Sequence, residues 1–272
     1  MLLAQMTDLH IKGNGKLAYN RVDTVKFVKD TVQHINHFMP KIDAVIISGD
    51  LTDNGTMAEY EYTKSLLNQL NMPYYVVPGN HDQRKNLYDG FRENNCFMSG
   101  SYIHYSIDDF PLRLIGLDTL VEQKPHGYLP SSSLNWLDKQ LNEQPEKPTL
   151  IFMHHPPFKT GIEHMDVQNL LNAEEFIKLI DKHSCVKQVA CGHVHRAIQT
   201  VINSTVYSIA PNAAHATVLN LGFNAQPCFT LEPPALQLFR LDEKNKLTSH
   251  ISYIGHFDGP HPYFNSQGQL IE

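Results

Sequence analysis

The stretch Ser48-Gly49-Asp50-Leu51 and its continuation, Pro78-Gly79-Asn80-His81-Asp82, decide how this sequence folds. An apolar run at residues 44–47 precedes the first stretch, and a second run at residues 74–77 precedes the other. Each run predicts a buried strand that ends abruptly at Gly or Pro-Gly. Acidic, amide and imidazole side chains therefore follow the strand ends, which is where open α/β sheets bind ligands.

Three further apolar runs, at residues 2–6, 150–153 and 186–190, also predict buried strands that end at polar side chains. Because the carboxyl ends of parallel strands meet at one edge of a sheet, we expect the side chains beyond all five strands to converge. These side chains are Asp8, His10, Asp50, Asn80, His154, His193 and His195.

Helical patterns alternate with these strands, and antiparallel strand pairs follow. Apolar spacing predicts a helix over residues 20–38, and the polar stretch at residues 83–94 is also predicted to be helical. Thr56 with Glu59 forms a capping-box pattern that begins another helix. Turn residues between apolar runs predict a hairpin over residues 102–117 and a late pair over residues 236–254. This order predicts an α/β fold with two mixed sheets packed face to face and helices outside.

The prediction is one domain over residues 1–272, since α/β folds of this size often form a single core. Residues 211–234 interrupt the strand order, and they are rich in Asn and Pro but apolar in places. We interpret them as a small cap that covers the site or meets a partner; a surface hairpin without function is the alternative. The tail at residues 255–272 is predicted to lie extended over the surface.

Composition narrows the possible functions. The formal net charge of −6 argues against a broad nucleic-acid surface, which is usually basic. No positively charged stretch precedes a long apolar run, and no run reaches about 18 apolar residues, so we expect neither a signal peptide nor a membrane span. We therefore predict a cytoplasmic protein without a membrane partner. The count of 16 histidines is unusual, and imidazole suits metal binding and proton transfer near neutral pH.

The convergent side chains suit a metal centre. Asp, Asn and His supply oxygen and neutral imidazole ligands, which favour divalent ions such as Mn²⁺, Fe²⁺ or Zn²⁺. Asp8-x-His10 and His193-x-His195 would each face one side if the backbone stays extended. Together with Asp50, Asn80 and His154 they exceed the needs of one ion, so we predict two ions. Either aspartate could bridge them.

The sequence resembles the calcineurin-like metallophosphoesterases from residue 2 to about residue 210. Five separated motifs in a fixed order make this resemblance highly specific. Its length and its Asp-x-His start are similar to the bacterial class III cyclic-nucleotide phosphodiesterases and the related glycerophosphodiesterases, and residues 211–234 resemble the oligomer-forming cap of that branch. The motifs are Asp8-x-His10, Gly49-Asp50, Gly79-Asn80-His81-Asp82, His154 and Gly192-His193-x-His195.

The resemblance implies a four-layer αββα sandwich and a dinuclear centre that hydrolyses small phosphodiesters. The substrate would be a 3′,5′-cyclic nucleotide such as cAMP, or a glycerophosphodiester, and a metal-bound hydroxide would attack phosphorus in line. It also implies a homo-oligomer whose cap narrows the pocket. The implied ligands are Asp8, His10 and His195 for one ion, Asn80, His154 and His193 for the other, and Asp50 as the bridge.

Further residues are candidates for contact with the substrate, in addition to Asn80. His81 could stabilise developing charge or protonate the leaving alkoxide. Asp82 could orient that imidazole, or alternatively cap a helix that begins near Gln83. His155 is predicted to point away from the site by strand alternation. His215, in the cap, is a candidate for contact with the substrate, although the sequence favours a plain loop histidine.

Two other functions stay open. A phosphomonoesterase or a nuclease could use the same fold, although a nuclease should show a basic groove beside the ions. A non-catalytic metal-binding scaffold belongs to a different class. The intact set of ligand residues argues against that scaffold, and the metal content of the protein would decide between them.

Overall fold

The secondary structure is described for residues 1–93 and 102–271 in a computed structural model. The helices are α1 (Thr24–His37), α2 (Met57–Leu67), α3 (Arg84–Phe91), α4 (Ser131–Glu143), α5 (Glu163–Asp166) and α6 (Ala173–Ile180). The strands are β1 (Leu2–Met6), β2 (Ala44–Ser48), β3 (Tyr74–Val77), β4 (Tyr105–Ile107), β5 (Arg113–Leu117), β6 (Thr149–Met153), β7 (Val186–Cys191), β8 (Ile198–Ile202), β9 (Thr205–Ile209), β10 (Ala216–Thr217), β11 (Phe229–Thr230), β12 (Ala235–Leu241) and β13 (Leu247–Tyr253).

Two mixed sheets make up most of the strand content. The first has the order β13-β12-β1-β2-β3, and the second has the order β4-β5-β6-β7-β9-β8. β1, β2 and β3 run parallel, as do β5, β6, β7 and β9. The carboxyl ends of the parallel strands therefore point to one edge within each sheet, as the sequence predicts.

Apolar side chains on both faces of the second sheet explain its position between two layers. Along β6, Leu150 and Phe152 belong to a core cluster that also contains residues of the first sheet. Ile151 and Met153 point to the other face and join a second cluster with residues of α4 and α6. Alternate residues of a strand face opposite sides, so this sheet packs on the first sheet and on helices at once.

Helix boundaries follow local capping. The predicted capping box is present: Thr56 Oγ1 accepts from Glu59 N, and Glu59 Oε2 accepts from Thr56 N at 3.2 Å. The helix predicted over residues 20–38 begins later, at Thr24, because the Asp23 carboxylate accepts from Lys26 N at 3.0 Å and caps it there. The helix predicted over residues 83–94 ends at Phe91, and Asn94 lies outside the described residues.

Residues 211–234 contain the hairpin of β10 and β11, which pair with each other and not with either large sheet. The tail beyond residue 254 is exposed and carries an isolated bridge between Phe264 and Leu270. None of the helices in the described ranges combines the length and the apolar character that a membrane span requires.

Candidate metal centre

Loops that follow strands of both sheets meet at one place. Asp8 N donates to Gly49 O at 3.0 Å, which joins the loop after β1 to the loop after β2. Gly192 N donates to His154 O at 3.0 Å, which joins the loops after β7 and β6. His193 N donates to Asp8 Oδ2 at 3.1 Å and connects the two groups of loops. The predicted ligand residues are thereby brought together across the two sheets.

The backbone at these residues is not extended, so that part of the prediction is wrong. Residues of both short pairs and the shared aspartate have positive φ angles, between 43° and 74°. Left-handed backbone costs roughly 1 to 2 kcal/mol per non-glycine residue, and such strain is typical of functional sites. The tight turns direct the side chains inward directly after the strands end. These residues are Asp8, His10, Asp50, His193 and His195.

One cluster of ligand atoms contains Asp8, His10 and His195. His10 Nε2 lies 3.2 Å from His195 Nε2. His195 Nε2 lies 3.2 Å from Asp8 Oδ1. His10 Nε2 also lies 3.6 Å from Asp50 Oδ2.

A second cluster contains Asn80, His154 and His193. His154 Nε2 lies 3.0 Å from Asn80 Oδ1 and 3.3 Å from His193 Nδ1. The same nitrogen lies 3.4 Å from Asp50 Oδ2. Asp50 Oδ2 is therefore within 3.6 Å of a histidine nitrogen in each cluster. We call the seven residues of the two clusters, including Asp50, the metal centre.

The donor set fits divalent cations. Imidazole nitrogens face one another at 3.2 and 3.3 Å, and two ligand atoms each about 2.1 Å from one ion would lie about 3.0 to 3.4 Å apart. In the described part of the chain, the ion-pair partners of buried Asp8 and Asp50 are histidines. Burial lowers the pKa of His154, but Asp50 and Asp8 outweigh it and raise that pKa to about 9. The two buried carboxylates therefore favour positive charge at His154. Burial instead lowers the pKa of His10 and lowers that of His193 to about 3, so these two imidazoles stay neutral, as metal ligands must be.

Two glycines of the deciding motifs allow this close approach. A Cβ atom on Gly49 would lie 2.4 Å from His154 Nδ1, and one on Gly79 would lie 2.2 Å from Asp50 Oδ1. Neither site can hold a side chain without moving a residue of the metal centre. His154 Nδ1 in turn donates to Ser48 O at 2.8 Å, which leaves Nε2 directed at the cluster.

His81 lies beside the centre with a defined orientation. Its backbone N–H donates to Asp50 Oδ1 at 2.8 Å, and Nδ1 donates to Asp53 O at 2.9 Å. Its ring is edge-on to His10, with centroids 4.7 Å apart. The carbonyl of Asp53 thus orients this imidazole, a contact that the sequence analysis missed.

Asp82 has neither of the two roles predicted for it. Gln83 is the N-cap residue of α3, without a side-chain capping bond, and the imidazole of His81 bonds to Asp53 instead. Buried Asp82 accepts hydrogen bonds from three backbone N–H groups and two hydroxyls of the loops around the centre. Burial and the charge of Asp50 raise its pKa to about 6. The donors are Leu51 N, Thr52 N, Gly79 N, Thr52 Oγ1 and Tyr60 Oη.

Removing this carboxylate is expected to destabilise the protein strongly. Asp82→Ala leaves buried donors without an acceptor and should lower the free energy of unfolding by roughly 3 to 5 kcal/mol. Urea unfolding of metal-stripped protein measures this without a contribution from bound ions. Asp30→Ala, which removes an exposed partner of Lys26, should cost less than about 1 kcal/mol. Equal losses in the two variants would contradict this account of Asp82.

His215 and His155, the other two histidines considered in the sequence, have different surroundings. His215 is buried, and its ring centroid lies 4.4 Å from that of His195, so the cap reaches the centre. Burial and the neighbouring histidines lower the pKa of His215 to about 2. His155 bonds through Nδ1 to Thr119 Oγ1 at 2.7 Å and through Nε2 to Pro125 O at 3.2 Å. A neighbouring loop thus engages both of its ring nitrogens, as expected for a structural residue. Its ring nevertheless lies 4.9 Å from that of His193, so it packs on the metal centre and the prediction that it points away is wrong.

A cleft of about 370 Å³ opens over His10, Asp50, Asn80, His81, His193 and His195. One wall comes from the cap and the loop before α1, with Tyr19 and Phe229, whose ring centroids are 5.1 Å apart. The other wall contains His164 and Gln168, in and after α5. No signal in the sequence points to Tyr19, His164 or Gln168, because they lie in a turn, in a four-residue helix and just after it, where no periodic pattern is visible.

Comparisons with known proteins show the family to which the chain is similar. The family model described as calcineurin-like phosphoesterase matches residues 1–197. A probable glycerophosphodiester phosphodiesterase GpdQ of Arcobacter nitrofigilis is 46% identical over 273 residues and covers 100% of both chains. A 3′,5′-cyclic-nucleotide phosphodiesterase of Nostoc sp. is 29% identical and covers 78% of each chain.

A solved structure of a dimetal phosphatase from Danio rerio shares the fold. It has a TM-score of 0.66 at 13% identity, and the alignment covers 93% of this chain and 98% of the other. The predicted α/β architecture with two mixed sheets is thereby confirmed.

Proposed function

The chain belongs to the calcineurin-like phosphoesterases, and we propose that it hydrolyses small phosphodiesters with two divalent ions held by the metal centre. The observation that carries this proposal is the position of Asp50 Oδ2, 3.6 Å from His10 Nε2 and 3.4 Å from His154 Nε2. An oxygen shared in this way is what a bridging ligand requires.

The residues of the chain have distinct roles in this proposal. Asp8, His10 and His195 hold one ion, Asn80, His154 and His193 hold the other, and Asp50 serves both. When bound, such ions offset the charge of the phosphate and lower the pKa of water. His81 Nδ1 is committed to Asp53 O, so its Nε2 is the atom that can pass a proton to the leaving alkoxide. His81, Asn80 and His215 line the cleft where the substrate binds.

The walls of the cleft favour small diesters over polymers. Asn224 N, in the cap, donates to Glu163 Oε2 on α5 at 2.9 Å, which links the two walls. Leu221 of the cap packs on Gly161 beside that contact. Among the described residues that line the cleft, Lys and Arg do not occur, which argues against a nucleic-acid groove.

Glycerophosphodiesters are our first candidate substrate, because the relative with 46% identity over the full chain carries that name. Cyclic nucleotides are the second candidate, which the name of the Nostoc relative supports. Turnover of a glycerophosphodiester, cAMP, a nitrophenyl monoester and single-stranded DNA would be compared on metal-stripped protein reloaded with Mn²⁺, Fe²⁺ or Zn²⁺. We expect diester hydrolysis with two ions bound per chain. Protein that binds no ions, or turns over monoesters faster, would contradict the proposal.

The cap is proposed to exclude bulky diesters and to form a homo-oligomer in the cytoplasm. Leu221 and Phe223 at its tip are 65% and 85% exposed, and exposed apolar groups are typical of an interface.

Replacing residues 218–228 with a short Gly-Ser linker should therefore yield monomers and reduce discrimination against bulky diesters roughly 10-fold. This change leaves His215 and the metal centre in place, so metal content should not change. Light scattering and rates with small and bulky diesters check the two effects. An intact protein that is monomeric at micromolar concentration would contradict the interface, and unchanged discrimination would contradict the exclusion.

A further inference from the structure

Polar side chains form a connected row directly beneath the metal centre, in the layer between the two sheets. Gln5 and Ser48 are fully buried, and Thr7 is 3% exposed. The row begins at Gln5 on β1, continues through Ser48 on β2 and returns through Thr7 to Asp8. Burying amide and hydroxyl groups costs free energy unless they find partners, so their hydrogen bonds determine what the row does.

Each group in the row donates to the next. Gln5 Nε2 donates to Ser48 Oγ at 2.8 Å, and Ser48 Oγ donates to Thr7 Oγ1 at 2.8 Å. Thr7 Oγ1 donates to Asp8 Oδ2 at 2.7 Å, whereas its other acceptor, Ser48 O, lies farther away at 3.3 Å. A hydroxyl has one proton to donate, so both hydroxyls are committed toward Asp8. Hydrogen bonds that end on a carboxylate are the strong ones.

Because of this row, the two carboxylate oxygens of Asp8 have different partners. Oδ2 accepts from Thr7, and the His193 amide lies 3.1 Å from Oδ2 and 3.2 Å from Oδ1. Oδ1 faces the first cluster, 3.2 Å from His195 Nε2. The hydroxyl of Thr7 therefore occupies one oxygen and leaves the other directed at the position of an ion.

The same row joins the strands that carry ligands of both clusters. Gln5 Nε2 also donates to Cys191 O on β7 at 2.9 Å, two residues before His193. A Cβ atom on the intervening Gly192 would lie 2.1 Å from Thr7 Oγ1, so this segment packs directly on the row. A displaced hydroxyl would therefore disturb the loops of both sheets.

Burial of the Gln5 side chain carries a free-energy cost that a purely structural residue would avoid. Its Oε1 is buried without a hydrogen-bond partner in the part of the chain that the structure describes. An unpaired buried acceptor costs roughly 1 to 3 kcal/mol. A methionine has a similar length and would fill the same space without this cost. The benefit of Gln5 must therefore lie in the two groups to which it donates.

We propose that Gln5, Ser48 and Thr7 are positioning residues that hold Asp8 with Oδ1 directed at the first cluster and so set the affinity of that cluster for its ion. The proposal rests on the proposed function in one respect, that the metal centre binds divalent ions. None of the three side chains needs to touch the substrate.

The test is a titration of metal-stripped protein with Mn²⁺. Thr7→Val keeps the shape of the side chain but removes the donor. It should raise one of the two Mn²⁺ dissociation constants roughly 10- to 100-fold. Thr7→Ser restores the hydroxyl and should bind within about 3-fold of the unaltered protein. Thr63→Val is the matched control, because Thr63 is equally buried but donates to Glu59 O on α2, and its binding should not change.

A second variant separates positioning from stability. Gln5→Met should keep or raise the melting temperature and still weaken Mn²⁺ binding at least about 5-fold. If Thr7→Val does not fold, Gln5→Met alone tests whether the row sets the metal affinity. Unchanged Mn²⁺ affinity in Thr7→Val or Gln5→Met would overturn the proposal, as would an equal loss in Thr63→Val. Unaltered protein that binds no Mn²⁺ would instead contradict the proposed function.

Discussion

Turnover by an Asp50→Ala variant is expected to fall at least about 10³-fold, and both metal sites are expected to lose occupancy together. Asp50 Oδ2 lies within 3.6 Å of a histidine nitrogen in each cluster, so one substitution removes a ligand from two ions. The fold should persist, because β2 ends before this residue. Elemental analysis after reloading and far-ultraviolet circular dichroism measure the two effects.

Two further variants make the Asp50 result specific. Asp50→Asn keeps an oxygen that can accept from His81 N but removes the charge, so it should retain more metal than Asp50→Ala. Asp43→Ala removes an aspartate just before β2, which accepts from Leu2 N, and should keep both ions. Full occupancy of both sites in Asp50→Ala would exclude Asp50 as the bridge.

An His81→Ala variant is expected to keep both ions and to lose about 10²- to 10⁴-fold in rate on diesters with poor leaving groups. Its Nδ1 bond to Asp53 O presents the other ring nitrogen to the cleft, where a proton is needed by the departing alkoxide. Nitrophenyl diesters need less protonation of the leaving group, so their hydrolysis should fall much less. The ratio of the two rates is the measurement.

His164→Ala is the matched control for this experiment. His164 lines the same cleft from α5 and lies outside the metal centre, so its removal should affect both substrate types to the same extent. Equal losses on poor and activated leaving groups in His81→Ala would count against His81 as the acid. They would favour binding of the phosphoryl oxygens as its role.

Local patterns in the sequence are enough to predict the strands of the core and the polar residues that follow them. Buried parallel strands such as β2, β3 and β6 are continuous apolar runs, and Gly or Pro ends several of them sharply. The sequence therefore predicts that the polar residues beyond those strand ends meet at one place. The capping box of α2 can likewise be predicted from the sequence, because Thr56 and Glu59 are only three residues apart.

The orientation of those polar residues and the residues around them depend on packing between distant segments of the folded chain. The left-handed backbone at Asp8 and His10 and the burial of Asp82 among loop donors follow from packing between chain segments. Asn212, which donates to Asp8 O at 2.6 Å from 204 residues away, has no local signal in the sequence. A local sequence pattern indicates which face of a strand or helix is buried. Contacts between residues so far apart in the sequence depend instead on how two complete sheets pack.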